Sequence, residues 1–426
     1  MVKKHKVVVI GGGFGGLTLV QKLAHEPVEI LLIDRSNHHL FQPLLYQVAT
    51  GGLSPANIAM PLRTLVSRQS NCRSILGEVS DVNIGRNEVV LTDGDHFEFD
   101  TLVVAAGAVT SYFNHPEWSE NVVGLKSLDD AMKIRWRILS SFEKAERSPD
   151  PQEQMRLLTF VVVGGGPTGV EMAGAIAELS HHSMKNEFRN IKSESARIIL
   201  VEGNSRPLSM FREDLSAKAC KDLEILGVEL RLGVQVKDVN SNEVELSNGE
   251  KISTNTVIWA AGVAGNPLGA SIARATGVPL ARGQRIPVEA DCSVPGHPNI
   301  FVIGDLAAFI PQGETQTLPG VAPVAIQQAQ YVSGLIHNRL IGNPPPPPFT
   351  YFDKGSMATI GRGRAIAQVG RFGMTGFLAW MAWLFIHVLL LVGFQNQLLV
   401  LTQWAVNFVT HNRGARVMGR QDAWKS

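Results

Sequence analysis

The chain has 426 residues, 45% hydrophobic and 18% charged, with a formal net charge of +1. That length allows two or three domains with a large core and excludes a disordered chain, while the near-neutral balance excludes a general affinity for nucleic acid. Three cysteines, Cys72, Cys220 and Cys292, stand too far apart in sequence for a CxxC pair or a metal knuckle, which excludes a disulfide framework and leaves no metal site to expect.

Met1–Lys6 is basic, but only Val7–Ile10 is apolar before a glycine cluster, so the segment is not read as a signal peptide and the chain is expected to begin in the cytoplasm. Lys6–Ile10 is a continuous apolar run suited to a central parallel strand. Gly11-Gly-Gly-Phe-Gly-Gly16 follows, then a helix over about Leu17–His25, then a strand Val28–Ile33 ending in Asp34. The pattern recurs: strand Leu158–Val163, turn Gly164-Gly-Gly-Pro-Thr-Gly169, helix Val170–Leu179, and strand Arg197–Val201 ending in Glu202. Strands ending in small residues follow each turn, Thr101–Gly107 with Ala106 at its end, and Thr256–Gly262. The chain therefore contains one architectural unit twice. Asn299–Asp305 is a third strand of this kind and closes on Gly304-Asp305.

Pro344–Pro348 reads as a stiff linker. Beyond it, Phe349–Val369 suggests short strands, and Phe377–Val392 is almost wholly apolar, interrupted only by His387. In Phe394–Thr410, the residues Phe394, Leu398, Leu401, Ala405 and Phe408 share one helical face, with Asn396, Gln403, Asn407 and Thr410 opposite.

Each glycine turn has the features of a dinucleotide site. Gly11 allows the tight turn, Gly13 lets a pyrophosphate approach the backbone, and Gly16 lets helix and strand pack closely. The helix N-terminus offers N–H groups to phosphate, and Asp34 stands where an acid can hold ribose hydroxyls. Gly164, Gly166, Gly169 and Glu202 repeat the set. A carboxylate at Glu202 repels a 2′-phosphate and so favours NADH over NADPH, although Arg206 leaves some use of NADPH open. The alternative for this second turn is an unoccupied repeat. Two such sites imply a held flavin and an exchangeable nicotinamide, with FAD at the N-terminal site by fold-level analogy. Gly304-Asp305 then suits the flavin's ribityl chain, or is an ordinary strand-end turn.

With these residues in view, the chain resembles the type II NADH:quinone oxidoreductases, non-proton-pumping NADH dehydrogenases within the two-dinucleotide-binding flavoproteins. The resemblance runs nearly end to end. It rests on Asp34-Arg35, Leu40-Phe-Gln-Pro-Leu-Leu-Tyr-Gln-Val-Ala49, Gly169-Val-Glu171, Val302-Ile-Gly-Asp305, Ala325-Ile-Gln-Gln328, and Ala379-Trp through His387 to Gly393-Phe. It implies an α/β fold of two Rossmann-like domains, glutathione-reductase-like, with a C-terminal membrane-attachment region. The expected domains are 1–120 with 285–343 for FAD, 155–284 for NADH, and 349–426 for the membrane.

The implied reaction is hydride transfer from NADH to FAD, then two electrons and two protons to a membrane quinone. The resemblance places Arg35, Phe41, Gln42, Pro43, Ala106 and Gly107 with FAD and Gly262 with NADH. Phe41–Pro43 can also be read as a buried loop. Glu171 is expected to position nicotinamide and relay protons, or else to complement the helix dipole from the first turn. Gln327 is expected beside flavin and quinone, or is a purely structural polar residue. It matches the second glutamine of the family's AQxAxQ segment, whose first glutamine is replaced by Pro323. His38 and His39 read as structural histidines and Lys354 as a solvated charge.

Phe377–Val392 is shorter than the roughly 20 residues a spanning helix needs, and the next segment is amphipathic. Both fit a monotopic protein peripheral on the cytoplasmic side of the inner membrane. Trp380, Trp383, Trp404 and Trp424 would sit at headgroup level, and Arg413, Arg416 and Arg420 would meet anionic lipid. A single span and a dimer interface are the alternatives, and no residue decides for or against a homodimer. The absence of a multi-helix membrane domain argues against proton pumping. The missing cysteine pair argues against a disulfide oxidoreductase, and the intact second turn against a sulfide:quinone reductase. An FAD reductase of an electron-carrier protein is the alternative function, and a non-catalytic redox sensor a more distant one.

Overall fold

The computed structural model describes residues 4–410 and 413–419. Six helices recur below: α1 (Phe14–Lys22), α2 (Leu45–Ala49), α3 (Pro167–Glu178), α4 (Ala322–Leu340), α5 (Gly376–Leu390) and α6 (Phe394–Thr410). The backbone groups into two compact units. The first runs to Leu40 and includes Ala59–Val109 and Val263–Lys354; the second comprises Phe41–Ile58, Thr110–Gly262 and the chain from Gly355. The expected FAD-binding segment 1–120 thus contributes to both units, and 263–284 falls in the first.

The first unit is built on a six-stranded sheet in the order Ser293–Val294, His297–Val302, Thr101–Val104, His5–Ile10, Val28–Asp34, Cys72–Leu76. All neighbours are parallel except the first pair. The central strand is apolar on both faces because both are covered, one by helices and the other by the strands of 79–98 and the helix Leu268–Thr276. Val7 and Val9 pack with Leu19, Leu23 and Val332 on one side, while Val8 and Ile10 pack with Val82 and Ile272 on the other.

The second unit repeats the plan. Its sheet is Val122–Gly124, Thr256–Trp259, Thr159–Val163, Arg197–Glu202, Val228–Leu232, all parallel. In each unit a three-stranded antiparallel meander, 79–98 or 236–253, precedes the return strand. The repeat extends to single hydrogen bonds. Gly11 N–H donates to Ile33 O at 2.8 Å and Gly164 N–H to Val201 O at 2.7 Å; Ala105 N–H reaches Ile10 O at 2.8 Å and Ala260 N–H reaches Val163 O at 2.7 Å.

A further antiparallel sheet, Ser356–Gly361, Arg364–Val369 and Phe372–Thr375, leads into α5. Among the described residues, no helix is long and apolar enough to cross a membrane. In α6 the face of Phe394, Leu398 and Leu401 is exposed, whereas Asn396, Gln403 and Asn407 are partly buried. The helix is amphipathic as expected, and its apolar side faces outward.

Candidate functional site

In the first unit, the strand His5–Ile10 ends at Gly11, whose φ of +101° favours glycine. A Cβ on Gly16 would lie 1.8 Å from Gly11 O, so only glycine lets α1 start this close to the strand. Gly13 caps α1 with no side-chain hydrogen bond, no acid lies in the first turn, and a Cβ there would meet nothing within 4 Å. The helix start is therefore uncapped by any side chain and opens onto space at Gly13.

Asp34 stabilises this turn from the end of the neighbouring strand. One of its oxygens accepts Gly12 N–H at 2.5 Å and the other Ser36 N–H at 2.6 Å, while Arg35 beside it is exposed. Burial holds the pKa of His39 down, and its Nδ1–H donates to Gly12 O at 2.9 Å. Ala106 and Gly107 follow the strand Thr101–Val104, and Gly107, at φ +68°, also faces open space. Their carbonyls accept from Asn266 at 3.2 and 3.1 Å.

Gly304, at φ +72°, donates its N–H to Gln328 Oε1 at 2.7 Å, and Asp305 follows it. Gln328 is fully buried and its Nε2 has no partner. Sequence reading passed over Gln328 in favour of Gln327, although helical phase distinguishes them. Val324, Gln328 and Val332 share the buried face of α4, and Gln327 does not. The Gln327 carboxamide is engaged at both ends by the backbone of Phe352, at 2.9 Å each way. An uncapped helix start, open space at Gly13 and Gly107, and an unpartnered donor on Gln328 fit a bound dinucleotide such as FAD.

The second unit holds the other turn. Gly164 has φ +108°, Gly166 caps α3 without a side-chain bond and faces open space, and Gly169 would clash with Gly164 O if it carried a Cβ. Glu202 repeats the role of Asp34, accepting the N–H of Gly165 with one oxygen and Asn204 N–H at 2.7 Å with the other. Arg206 is turned into its own loop, donating to Phe211 O and Ser209 O at 2.8 and 3.1 Å. Gly262 is held by Ser111 N–H, and a Cβ on it would meet the Phe113 ring.

Phe41 is buried with its ring edge-on to His387, Pro43 lies in a 3₁₀ turn, and Gln42 is exposed. His387 itself is pushed down to about 4 by burial and stays neutral.

Helix α3 begins at Pro167 rather than Val170, because proline suits a first helical position. Glu171 therefore lies in the second turn, which corrects the expectation of a first-turn acid beside the helix dipole. It lines a cavity of about 300 Å³ within the second unit. Burial pushes its carboxyl up to about 8, partly offset by a 3.4 Å hydrogen bond from Thr359 N–H. One face of the same cavity carries Glu178, which is instead ion-paired to Arg413 at 2.8 Å. Two carboxylates on one helix thus have opposite surroundings.

The expected lipid contacts need correction. Trp383 is only 1% exposed, and Trp380, Trp383 and Trp404 all line this cavity rather than a headgroup layer. Arg413 bonds Glu178 and Thr50, and Arg416 pairs with Glu187 at 2.6 Å. These cations are already satisfied within the protein. Arg420 and Trp424 lie outside the described residues.

The chain is similar to known proteins along nearly its whole length. Residues 5–329 match the pyridine nucleotide-disulphide oxidoreductase family, and residues 354–411 match the NDH2 C-terminal domain. The type II NADH:quinone oxidoreductase Ndh of Mycobacterium tuberculosis is 44% identical over 99% of this chain and 92% of its own length. NdhA of the same organism is 43% identical over 98% and 90%. The fold superposes on NDH2 from Plasmodium falciparum, solved in complex with NADH, with a TM-score of 0.89 at 22% identity, covering 98% of this chain and 100% of that one. On this extent of identity, along essentially the whole chain, the protein belongs to the type II NADH:quinone oxidoreductases.

Proposed function

We propose that the first unit holds FAD and the second NADH, and that Glu171 supplies a proton to the acceptor. The enzyme oxidises NADH and reduces a quinone, using FAD. FAD, when bound, would supply the two-electron relay between NADH and the quinone, which also gains two protons. Gly11, Gly13, Gly16 and Asp34 would hold the FAD phosphates and ribose, and Gln328 would offer a buried donor beside Gly304-Asp305. Gly164, Gly166, Gly169 and Glu202 receive NADH. The uncharged Glu171, two residues beyond Gly169, holds a proton at its carboxyl oxygen near neutral pH and is refilled from water. No proton pumping is proposed.

The observation that carries this reading is the duplicated turn, in which a strand-end carboxylate fixes an uncapped helix start in both units. The outward apolar faces of α5 and α6 support attachment to a membrane surface, on the cytoplasmic side in our reading. The test is steady-state oxidation of NADH by the flavin-loaded enzyme with short-chain ubiquinone and menaquinone analogues. Rapid turnover with these analogues is expected. Failure with every quinone beside rapid reduction of a soluble carrier protein would overturn the acceptor assignment.

A further inference from the structure

Two aromatic side chains of the cavity beside Glu171, Trp404 and Tyr46, are joined through Gln47 of α2 by an unbroken hydrogen-bond chain. The indole N–H of Trp404, on α6, donates to Gln47 Oε1 at 2.7 Å. Gln47 Nε2 in turn donates to the Tyr46 hydroxyl oxygen at 2.9 Å. Both ends of the Gln47 carboxamide are thereby fixed, so its orientation is decided by α6.

The Tyr46 oxygen is an acceptor in this chain, which leaves its own hydrogen to spend elsewhere. Tyr46 is buried and lines the cavity, and no acceptor for that hydrogen is found among the described residues. Trp383 is in the same condition. It lines the cavity, is almost fully buried, and its Nε1–H has no partner. Its ring packs against Tyr46, Trp404 and His387 at centroid distances of 6.4, 5.7 and 4.1 Å.

Two unspent donors buried in one aromatic cavity are costly unless a ligand accepts from them. A ligand that satisfies both has a flat ring, carbonyl oxygens on that ring and no charge. An apolar tail would suit a cavity walled by helices whose outer faces are apolar. A quinone has these properties.

We propose that Tyr46 and Trp383 donate hydrogen bonds to the ring carbonyls of the quinone, and that Trp404 is a positioning residue that aims the Tyr46 hydroxyl through Gln47. The inference rests on the quinone reductase reading above and assigns its acceptor-binding side chains. The helix whose leucines face outward would then also set the geometry of the acceptor site.

The experiment uses flavin-loaded enzyme and the variants Tyr46→Phe, Trp404→Phe and their double. A short-chain menaquinone analogue is titrated without NADH, following quenching of tryptophan fluorescence, and steady-state constants are measured for quinone and NADH separately. Tyr46→Phe removes one oxygen atom and is expected to weaken quinone binding about 10-fold, with a matching rise in quinone KM and no change in NADH KM. Trp404→Phe keeps an aromatic ring and is expected to raise quinone KM by about 3-fold, with the double variant no worse than Tyr46→Phe alone. If Tyr46→Phe binds and reduces quinone like the parent enzyme, the inference is overturned while the acceptor assignment stands. If the two effects simply multiply, the positioning role of Trp404 is overturned. A parent enzyme that reduces no quinone overturns the underlying reading instead. Should Tyr46→Phe lose its flavin, Trp383→Phe tests the second donor by the same quinone titration, and unchanged quinone affinity there would likewise reject the site.

Discussion

Asp34 accepts the backbone N–H of Gly12 at 2.5 Å across the sheet, so the acid that marks the first dinucleotide turn also holds that turn in shape. The turn and its ligand contacts should therefore fail together. Asp34→Ala removes this bond and the one to Ser36, and is expected to destabilise the protein by about 2 kcal/mol while lowering flavin content. Absorbance of the purified protein and its Tm measure the two effects. A variant with full flavin and parental Tm would show that the turn holds without the acid.

Glu202 occupies the equivalent place in the second unit, and Arg206 is committed to its own loop. Glu202→Ala should raise NADH KM about 10-fold or more and narrow the preference over NADPH, since the charge that repels a 2′-phosphate is gone. Flavin content should stay at the parental level. The measurement is the ratio of kcat/KM for the two nucleotides, and an unchanged ratio would refute the assignment.

Glu171 gives a pH signature with a definite sign. Its folded pKa of about 8 lies above the reference value of 4.5, so the folded state binds the extra proton between those values. This group's contribution to stability therefore declines as pH rises from about 4.5 to about 8. Quinone reduction should fall as pH passes about 8 and the acid ionises. Glu171→Gln should lower turnover about 100-fold or more and abolish that limb. A parental pH profile in this variant would remove Glu171 from the proton path.

The same helix is positioned by a close backbone approach. A Cβ on Gly174 would stand 1.8 Å from Ile360 O, where α3 meets the strand Ser356–Gly361. Gly174→Ala should cost about 3 kcal/mol by forcing the two apart, and should weaken the Thr359 contact to Glu171. Denaturant unfolding and the Glu171 pH limb report the two consequences, and a stable variant with an intact limb would contradict the packing.

Attachment to lipid can be tested on α6 alone. Leu398 and Leu401 face outward, whereas Asn396 is partly buried on the opposite side. Leu398→Asp with Leu401→Asp should release the protein from anionic vesicles in a flotation assay, because burying two carboxylates in the interface is unfavourable. Unchanged flotation would show that this face does not meet the membrane.

The glycine turns, their strand-end acids and the duplicated architecture were legible because each depends on a few residues at short spacing. The same holds for the amphipathic pattern of α6. What the pattern could not reveal was which side of α6 faces inward, since that depends on partners such as Gln47 and Gly52, more than 350 residues away in sequence. Trp404 was misplaced at the lipid surface for that reason, and Arg413 and Arg416 because their partners Glu178 and Glu187 are likewise distant in sequence. Gln328 was hidden beside Gln327 by attention to a motif rather than to helical phase, which alone separates a buried residue from a half-buried neighbour.

The outward faces of α5 and α6 carry large side chains, Leu378 at 71% and Phe394 at 80% exposure among them. In plain buffer such faces cohere with one another, so the colloidal behaviour of the purified enzyme should be governed by whatever amphiphile covers them. Detergent choice then becomes a variable of the measured chemistry, because α6 carries Trp404 on its inner side.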